Sequence, residues 1–293
     1  MAIAALVCCL FWGANSLAIK ISVDYLPPIG AAGLRFALGL LVTVAWARAS
    51  GVSLRLRRAH VPMVMNLGAL LFVQIALLNW GTDKTEAARS TVLITGHVVF
   101  VAVFSPLVAG GERVTVRRFI GLMICSAGLL AVFGDQLGAQ DIILGDVTVL
   151  ASSLLLGLKI AYVKRCVATI DPCCLLFWQG MIAVPLFLIY SVLFEGIGAY
   201  RWHPDAILAI AYQGFIVAGF CFICWTILLK HHDAGSLAVF GFTSPLFGVA
   251  MSFVLRPQEH ATLPLLSGAV LVALGIYLAT TRGDARDRAK QVS

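Results

Sequence analysis

Residues 61–80 read VPMVMNLGALLFVQIALLNW, a run of twenty residues that contains no Asp, Glu, Lys or Arg. An α-helix of about 20 apolar residues is long enough to cross the hydrocarbon core of a bilayer. No water is available there to hydrogen-bond the backbone, so a segment that crosses must be a helix or part of a closed barrel. The run lacks the alternation of a membrane β-strand. It therefore predicts a transmembrane helix.

Nine further apolar runs lie on either side of this one. The ten predicted spans, numbered one to ten along the chain, are residues 3–20, 28–47, 61–80, 89–109, 117–134, 145–163, 173–194, 206–228, 236–255 and 263–281. Ten helices of about 20 residues use about 200 residues, which leaves short loops and no soluble domain in a chain of 293. The predicted fold class is an all-α integral membrane protein with ten transmembrane helices.

The composition agrees with a bilayer protein and excludes a water-soluble one. Hydrophobic residues make up 60% and charged residues 12% of the chain, against about 45–50% and about 25% in soluble domains. The mean hydropathy is +0.96. The net charge of +7 does not indicate nucleic acid, because the basic residues are spread over loops on one predicted side. The expected partners are the lipid bilayer and a small-molecule substrate, and a homodimer is left open.

The distribution of Lys and Arg sets the expected orientation, since cytoplasmic loops carry an excess of both. With the N-terminus inside, fourteen basic residues fall in cytoplasmic segments and five in outer ones, while Arg35 and Lys159 lie within spans. The outer five are Lys20, Lys84, Arg89, Arg201 and Arg256. Most acidic residues fall on the predicted outer side, and Asp146 is one of them. We therefore expect both termini in the cytoplasm and no carboxylate in the middle of a span.

An internal repeat relates the two halves of the chain. An offset of 147 residues pairs Glu112 with Glu259, Gly121 with Gly268 and Gly128 with Gly275, and an offset of 144 pairs Gly13 with Gly157, Lys20 with Lys164 and Pro28 with Pro172. The predicted units are residues 1–138 and 139–293. Because each holds five spans, an odd number, the halves have opposite orientations in the membrane. Inverted repeats of this kind are typical of secondary transporters, whose substrate sites lie near the midplane between the repeats.

A set of short motifs recurs in a fixed order along the chain. In the first half they are Phe11-Trp12-Gly13-Ala14-Asn15, Pro27-Pro28 leading to Leu34-Arg35-Phe36, and Gly111-Glu112-Arg113 leading to Gly121. In the second half they are Gly145-Asp146, Ser244-Pro245, and Glu259 leading to Gly268. In order and spacing the chain resembles the EamA-type members of the drug/metabolite transporter superfamily over nearly its whole length. It departs from the family pattern at Val98, where the family has a proline, and at Gln258-Glu259, where it has Gly-Glu.

Polar residues inside spans are costly and usually face a bundle interior or a water-filled cavity. The repeat offsets give three polar pairs, Asn15 with Lys159, Asn66 with Gln213, and His97 with Ser244. The resemblance implies that the spans which carry them surround a central cavity. These six residues, together with Trp12 as an aromatic that could stack on a substrate, are the predicted substrate-cavity residues.

Each of these residues also has a structural interpretation. Lys159 lies near the cytoplasmic end of span six, where its stem could snorkel to the headgroups. His97 could titrate near neutral pH and bind a substrate or a proton, or it could be satisfied by a neighbouring helix. Arg35 is expected to have a structural partner. Gln74 and Gln179 are expected to form hydrogen bonds between helices.

The leading hypothesis is a cell-membrane secondary transporter of small organic metabolites that works by alternating access. The resemblance implies amino acids or related compounds, with export a common direction. The alternatives are an intramembrane lipid-modifying enzyme and a channel. Against the enzyme, His97 has no acid partner in any span. The sequence contains no Walker-type phosphate loop, and the CxxC spacing of Cys221 and Cys224 without nearby His ligands is weak evidence for metal. No cofactor, metal or catalytic residue is expected.

The orientation can be tested by cysteine labelling in intact cells, starting from a cysteine-depleted chain. An impermeant maleimide should label a cysteine at position 140 and spare one at position 56, because the first lies in a predicted outer loop and the second in a cytoplasmic one. Labelling at 56 but not at 140 would contradict the predicted topology.

Overall fold

The fold is seen in a computed structural model that describes residues 2–109, 116–132, 140–231, 239–255 and 262–280. Within these ranges every regular element is helical. Seven helices are long and apolar enough to cross a membrane, and three shorter apolar helices lie at Phe119–Ala131, Thr243–Leu255 and Leu263–Leu278. Together they account for the ten predicted spans. Glu112, Glu259 and the predicted boundary after residue 138 lie outside the described residues.

Three spans of each half are interrupted, extended or preceded by other helical turns. In the first half, span one consists of Ala2–Gly13 and Asn15–Val23, span two of Pro28–Ala49, span three of Val61–Lys84 after a 3₁₀ turn at Arg58–His60, span four of Ala87–Thr95 and His97–Ala109, and span five of Val116–Ala131. In the second half, span six is Gln140–Cys166, and span seven is Pro172–Tyr190 with a π-helical turn at Ser191–Glu195 and a 3₁₀ turn at Ile197–Ala199. Span eight consists of Pro204–Ala211, the π-helix Tyr212–Cys221 and Phe222–His231, span nine of the 3₁₀ turn Val239–Phe242 and Thr243–Leu255, and span ten of Leu263–Thr280.

The packing partners of the spans follow the repeat. Span five packs on ten, two on seven and four on nine, and each of these pairs maps onto itself when the halves are exchanged. The remaining large contacts form equivalent pairs. The contact of span three with span six is equivalent to that of span eight with span one, and the contact of span four with span six to that of span nine with span one. The contact of span two with span eight is likewise equivalent to that of span seven with span three. Two copies of one five-helix unit related by a pseudo-twofold axis give this pattern.

Two equivalent lysines make equivalent contacts at opposite ends of the bundle. The Lys20 ammonium donates to the carbonyl oxygens of Thr82 at 3.2 Å and Asp83 at 2.7 Å. The Lys164 ammonium donates to the carbonyl oxygen of Leu229 at 2.8 Å. Lys20 and Lys164 are 144 residues apart, and Thr82 and Leu229 are 147 apart, which are the two offsets of the repeat. Each lysine thus supplies a donor and a positive charge to carbonyls at a helix C-terminus, where both are favourable.

A buried ion pair joins the halves at the end where Lys20 lies. The Arg89 guanidinium donates to the Asp146 carboxylate, and the two side chains are 1% and 0% exposed. The Thr85 hydroxyl donates to the same carboxylate at 2.6 Å. The sequence placed both residues on the outer side, at the starts of spans four and six, but it did not predict that they pair and are buried. Both sit near the first turns of spans four and six, where mutual neutralisation allows them to be buried.

Breaking this ion pair should destabilise the protein strongly. Arg89→Met leaves the Asp146 carboxylate buried and unpaired, which costs about 3–5 kcal/mol of unfolding free energy. The double variant Arg89→Met/Asp146→Leu should cost less than the sum of the single changes, because it leaves no isolated charge. Unfolding in mixed detergent micelles measures both quantities.

The matched control is the surface pair of Lys84 and Asp83, at 2.9 Å with 42% and 28% of the side chains exposed. Lys84→Met should change the stability by at most about 1 kcal/mol. Equal losses for Lys84→Met and Arg89→Met would contradict the assignment of a stabilising role to the buried pair.

Candidate functional site

A cavity of about 220 Å³ lies between the halves. Its lining comes from spans one to four and six to nine, and spans five and ten contribute none of the described lining residues. Most of the lining side chains are apolar. The polar and aromatic ones are Trp12, Asn15, Ser16, Arg35, Gln74, Thr91, Thr95, His97, Lys159, Gln179, Phe222, Trp225, Thr226 and Ser244. A mostly apolar cavity with a few convergent polar groups is the usual form of a small-molecule site.

The structure brings five of the seven predicted cavity residues together. Trp12, Asn15, His97, Lys159 and Ser244 line the cavity. Their contact with a substrate stays a prediction. The cavity residues that sequence reasoning did not select include Arg35, Gln74 and Gln179, which had been given a structural interpretation, and Trp225, an aromatic that could stack on a substrate as Trp12 could.

The structure places the remaining predicted pair, Asn66 and Gln213, away from the cavity lining. Asn66 is exposed on the outside of the bundle, near the start of the helix Val61–Lys84, where headgroups and water can solvate an amide. Gln213 is fully buried but contacts Arg35 and span one instead of the cavity. Equivalence in the repeat did not fix the direction of these side chains: Asn66 lies in a regular α-helix, whereas Gln213 lies in the π-helix Tyr212–Cys221.

Two of the predicted residues directly follow helix breaks. Span one is interrupted at Ala14, immediately before Asn15, and span four at Gly96, immediately before His97. Each interruption is a single residue whose backbone stays in the right-handed helical region, and the Ala14 and Gly96 N–H groups still donate to Leu10 and Leu93. The side chains of Asn15 and His97 therefore line the cavity from helices that are nearly continuous.

The break in span four also determines how His97 is bonded. Its Nδ1 lies 3.0 Å from the carbonyl oxygen of Ile94. Because a carbonyl can only accept, Nδ1 must carry the hydrogen, which leaves Nε2 of a neutral imidazole as an acceptor. The Ser153 hydroxyl from span six donates to the same carbonyl at 3.1 Å. His97 is thus satisfied on one side by its own helix and still lines the cavity.

Lys159 lies inside the bundle and does not snorkel. Its side chain is 6% exposed, and its ammonium lies 5.3 Å from the centre of the Phe222 ring. Among the described residues it forms no hydrogen bond or ion pair. A desolvated ammonium over an aromatic face is attracted to the ring quadrupole, and no carboxylate among the described residues compensates it.

Arg35 has the expected structural partner and also lines the cavity. Its Nη1 donates to the Gln213 side-chain oxygen at 3.1 Å. The side chain is 2% exposed, and its Nε has no hydrogen-bond partner among the described residues. The guanidinium lies 4.8 Å from the ring centre of Phe36.

The two cations share one wall of the cavity. The Phe36 ring under Arg35 and the Phe222 ring under Lys159 are neighbours, with centres 5.9 Å apart. The described lining residues include no Asp or Glu. The cavity therefore presents two positive charges without a compensating carboxylate in the described part of its wall.

Carboxamide oxygens give the cavity unpaired acceptors as well. Asn15 Oδ1, Gln74 Oε1 and Gln179 Oε1 are buried without a hydrogen-bond partner among the described residues. Gln74 does form the expected interhelical bond, from its Nε2 to the Ser152 hydroxyl at 2.9 Å, which fixes its oxygen as the free atom. Buried polar atoms without partners are rare in folded proteins. Three in one cavity indicate a place for donors of a ligand or of water.

An aromatic cluster forms another part of the wall. The Trp12 ring lies 4.8 Å from that of Trp225 and 6.2 Å from that of Phe222, in edge-to-face arrangements. These contacts hold span one against span eight. The rings give the cavity a rigid apolar surface beside the Lys159 ammonium.

A close contact between spans one and nine positions Ser244. A Cβ on Gly13 would lie 2.8 Å from the Ser244 carbonyl oxygen, and a Cβ on Gly248 would collide with the Gly13 carbonyl and the Thr91 methyl. The two helices can therefore touch only because both positions are glycine. The Ser244 hydroxyl donates to the Cys9 carbonyl at 2.8 Å across this contact.

Comparison with known proteins shows which family and which fold the chain is similar to. The model of the EamA-like transporter family matches residues 1–134 and 143–281. The uncharacterised transporter YoaV of Bacillus subtilis is 24% identical over 92% of this chain and 93% of its own length. A probable amino-acid metabolite efflux pump of Escherichia coli is 24% identical over 94% and 92%. A solved crystal structure matches 95% of this chain and 96% of its own with a TM-score of 0.73 at 20% identity, which shows a shared fold.

The glycine contact between spans one and nine can be tested by adding one methyl group. Gly248→Ala should destabilise the protein by about 1–3 kcal/mol, the usual cost of overpacking, and lower its melting temperature in detergent. Gly198→Ala is the control, since a Cβ there meets nothing within 4 Å. If both variants have the melting temperature of the wild type, the interpretation of the glycine contact is wrong.

Proposed function

The chain belongs to the EamA-like transporter family, and we propose that it is a secondary transporter of small metabolites that carry a carboxylate. The substrates are amino acids or related compounds, moved by alternating access and exported across the cell membrane. Both termini lie in the cytoplasm. Transport requires no cofactor in this proposal.

The observation that carries the proposal is the pair of uncompensated cations, Arg35 and Lys159, on one wall of the cavity. Burying a charge without a partner is costly, and the cost is recovered when an opposite charge binds. A carboxylate can accept from both the guanidinium and the ammonium, as charge-assisted hydrogen bonds do. A cationic substrate would meet repulsion from the same two groups.

Two further features favour an amino acid within this class. The unpaired oxygens of Asn15, Gln74 and Gln179 can accept from an ammonium group. The apolar and aromatic remainder of the wall suits a side chain such as that of an aliphatic or aromatic amino acid. Related proteins from Escherichia coli and Salmonella typhimurium are named probable amino-acid metabolite efflux pumps.

The size of the cavity and the symmetry of the bundle support the mechanism. A volume of about 220 Å³ is below the range of about 300–1,000 Å³ typical of drug-sized ligands, which favours small metabolites. Two inverted halves can rock about a fixed central site, giving two states that open to opposite sides.

The substrate class can be tested by ligand-induced thermal shift of the purified protein. The wild type should be stabilised more by an amino acid than by its matched amide, and more by the amide than by the decarboxylated amine, because a ligand that binds the folded state raises its stability. Lys159→Met should weaken binding of the acid by about tenfold to about a hundredfold, the equivalent of one charge-assisted hydrogen bond.

Asn66→Ala provides the control, since it removes an amide that lies outside the cavity, and it should leave ligand binding unchanged. Tighter binding of the amine or amide than of the acid would contradict the proposal. Acid selectivity that survives both Lys159→Met and Arg35→Met would do the same.

A further inference from the structure

Gln213 is a fully buried amide that connects three elements behind the cavity wall. Its Oε1 accepts from Arg35 Nη1 at 3.1 Å. Its Nε2 donates to the Ala18 carbonyl at 3.0 Å and to the Ser22 hydroxyl at 3.2 Å. Gln213 lies in the π-helical stretch Tyr212–Cys221 of span eight, and π-helical turns often occur at functional sites.

The orientation of this amide is determined by its partners. The Ala18 carbonyl can only accept, so the group that faces it must be the NH₂. The Ser22 hydroxyl donates to the Ile19 carbonyl at 2.8 Å, which leaves its oxygen free to accept the second amide hydrogen. The Gln213 oxygen is therefore directed at Arg35, where it can only accept.

The result is an arginine held in place by a neutral group. In the described part of the chain Arg35 forms no ion pair, in contrast to Arg89, which is neutralised by Asp146. The two buried arginines therefore differ in whether a partner neutralises their charge. One charge is cancelled where it holds helices together, and the other is positioned without being cancelled where it lines the cavity.

We propose that Gln213 is a specificity-determining positioning residue: it fixes the Arg35 guanidinium while leaving its positive charge available to an anionic ligand. This inference rests on the proposed function and deepens it. Gln213 does not touch the ligand. It sets the preference for acids through Arg35, and a carboxylate at this position would remove that preference by neutralising the arginine.

A ligand-free experiment tests the positioning. The melting temperatures of Arg35→Met, Gln213→Met and the double variant are compared with the wild type in a double-mutant cycle. The double variant should lose less than the sum of the single losses, because each single change removes the same bond. Additive losses would show that Gln213 does not hold Arg35 and would overturn the proposal, whether or not any ligand is known.

A ligand experiment tests the selectivity. The proteinogenic L-amino acids are screened for thermal shift on the wild type, and the amino acid with the largest shift is titrated against its amide on Gln213→Glu and Gln213→Met. Gln213→Glu should reduce the acid-over-amide preference about tenfold or more at alkaline pH, since an ionised neighbour cancels the arginine charge. Gln213→Met releases Arg35 without cancelling its charge, so it should reduce the preference in part, and by less than Gln213→Glu does.

A pH series distinguishes the effect of the charge introduced by Gln213→Glu from the effect of the altered side-chain shape. At acidic pH the new carboxyl is protonated, and its O–H can donate to the Ala18 carbonyl as the amide does, so Gln213→Glu should regain the preference for the acid. The wild type is measured at each pH as well, so the ratio of variant to wild type isolates the new group. The acid-over-amide preference of Gln213→Glu, divided by that of the wild type, should fall as the pH rises.

The outcomes are distinguishable. If no amino acid shifts the wild type, the proposed substrate class fails, and the ligand-free cycle still decides whether Gln213 positions Arg35. If amino acids bind but Gln213→Glu keeps the wild-type preference at every pH, the inference is refuted and the proposed function stands. A loss of preference in Gln213→Met as large as in Gln213→Glu also refutes it, because any disturbance would then suffice.

Discussion

The hydrocarbon core of the bilayer contains no water, and every polar group placed there must find its partner within the protein. Lys20 and Lys164 donate to helix-terminal carbonyls, and Arg89 is neutralised by Asp146. The exceptions are informative. Of the six buried side-chain atoms without a partner in the described ranges, four belong to residues that line the cavity: Asn15 Oδ1, Arg35 Nε, Gln74 Oε1 and Gln179 Oε1. The polar atoms that lack a partner in the described residues are thus concentrated around the cavity.

Much of the fold could be predicted from the sequence, because the bilayer sets the length and composition of each span. The twenty-residue run at 61–80 is enough to indicate a spanning helix. The repeat offsets of 144 and 147 predicted that Lys20 and Lys164 are equivalent, and the structure places them on equivalent carbonyls. The burial of Arg89 and Asp146 could not be read in advance, because two charges near helix ends resemble loop residues until the tertiary structure brings them together.

The candidate site was less predictable. In a membrane helix the lipid-facing and core-facing residues are both apolar, so periodicity does not show which face is turned inward. Asn66 and Gln213 were grouped with the cavity by the repeat alone, and neither lines it. Asn15 and His97 were predicted from the repeat in the same way, and both line the cavity. Arg35 was interpreted as structural because a partner was expected, and the partner proved to be uncharged.

The ion pair of Arg89 and Asp146 breaks the symmetry of an otherwise symmetric bundle. The lysine contact occurs at both ends, but the repeat equivalents of Arg89 and Asp146 are Ser236 and Ala2, neither of which carries a charge. Opening the end of the bundle near Lys20 would separate or hydrate this buried pair. At the other end the described residues include the pair of Lys230 and Asp171, at 3.9 Å, which is partly exposed and therefore costs little to separate. Two inverted copies of one unit would populate both conformers equally. In the proposed alternating-access cycle, the buried pair favours the conformer closed at that end, and a ligand has to contribute free energy to the exchange.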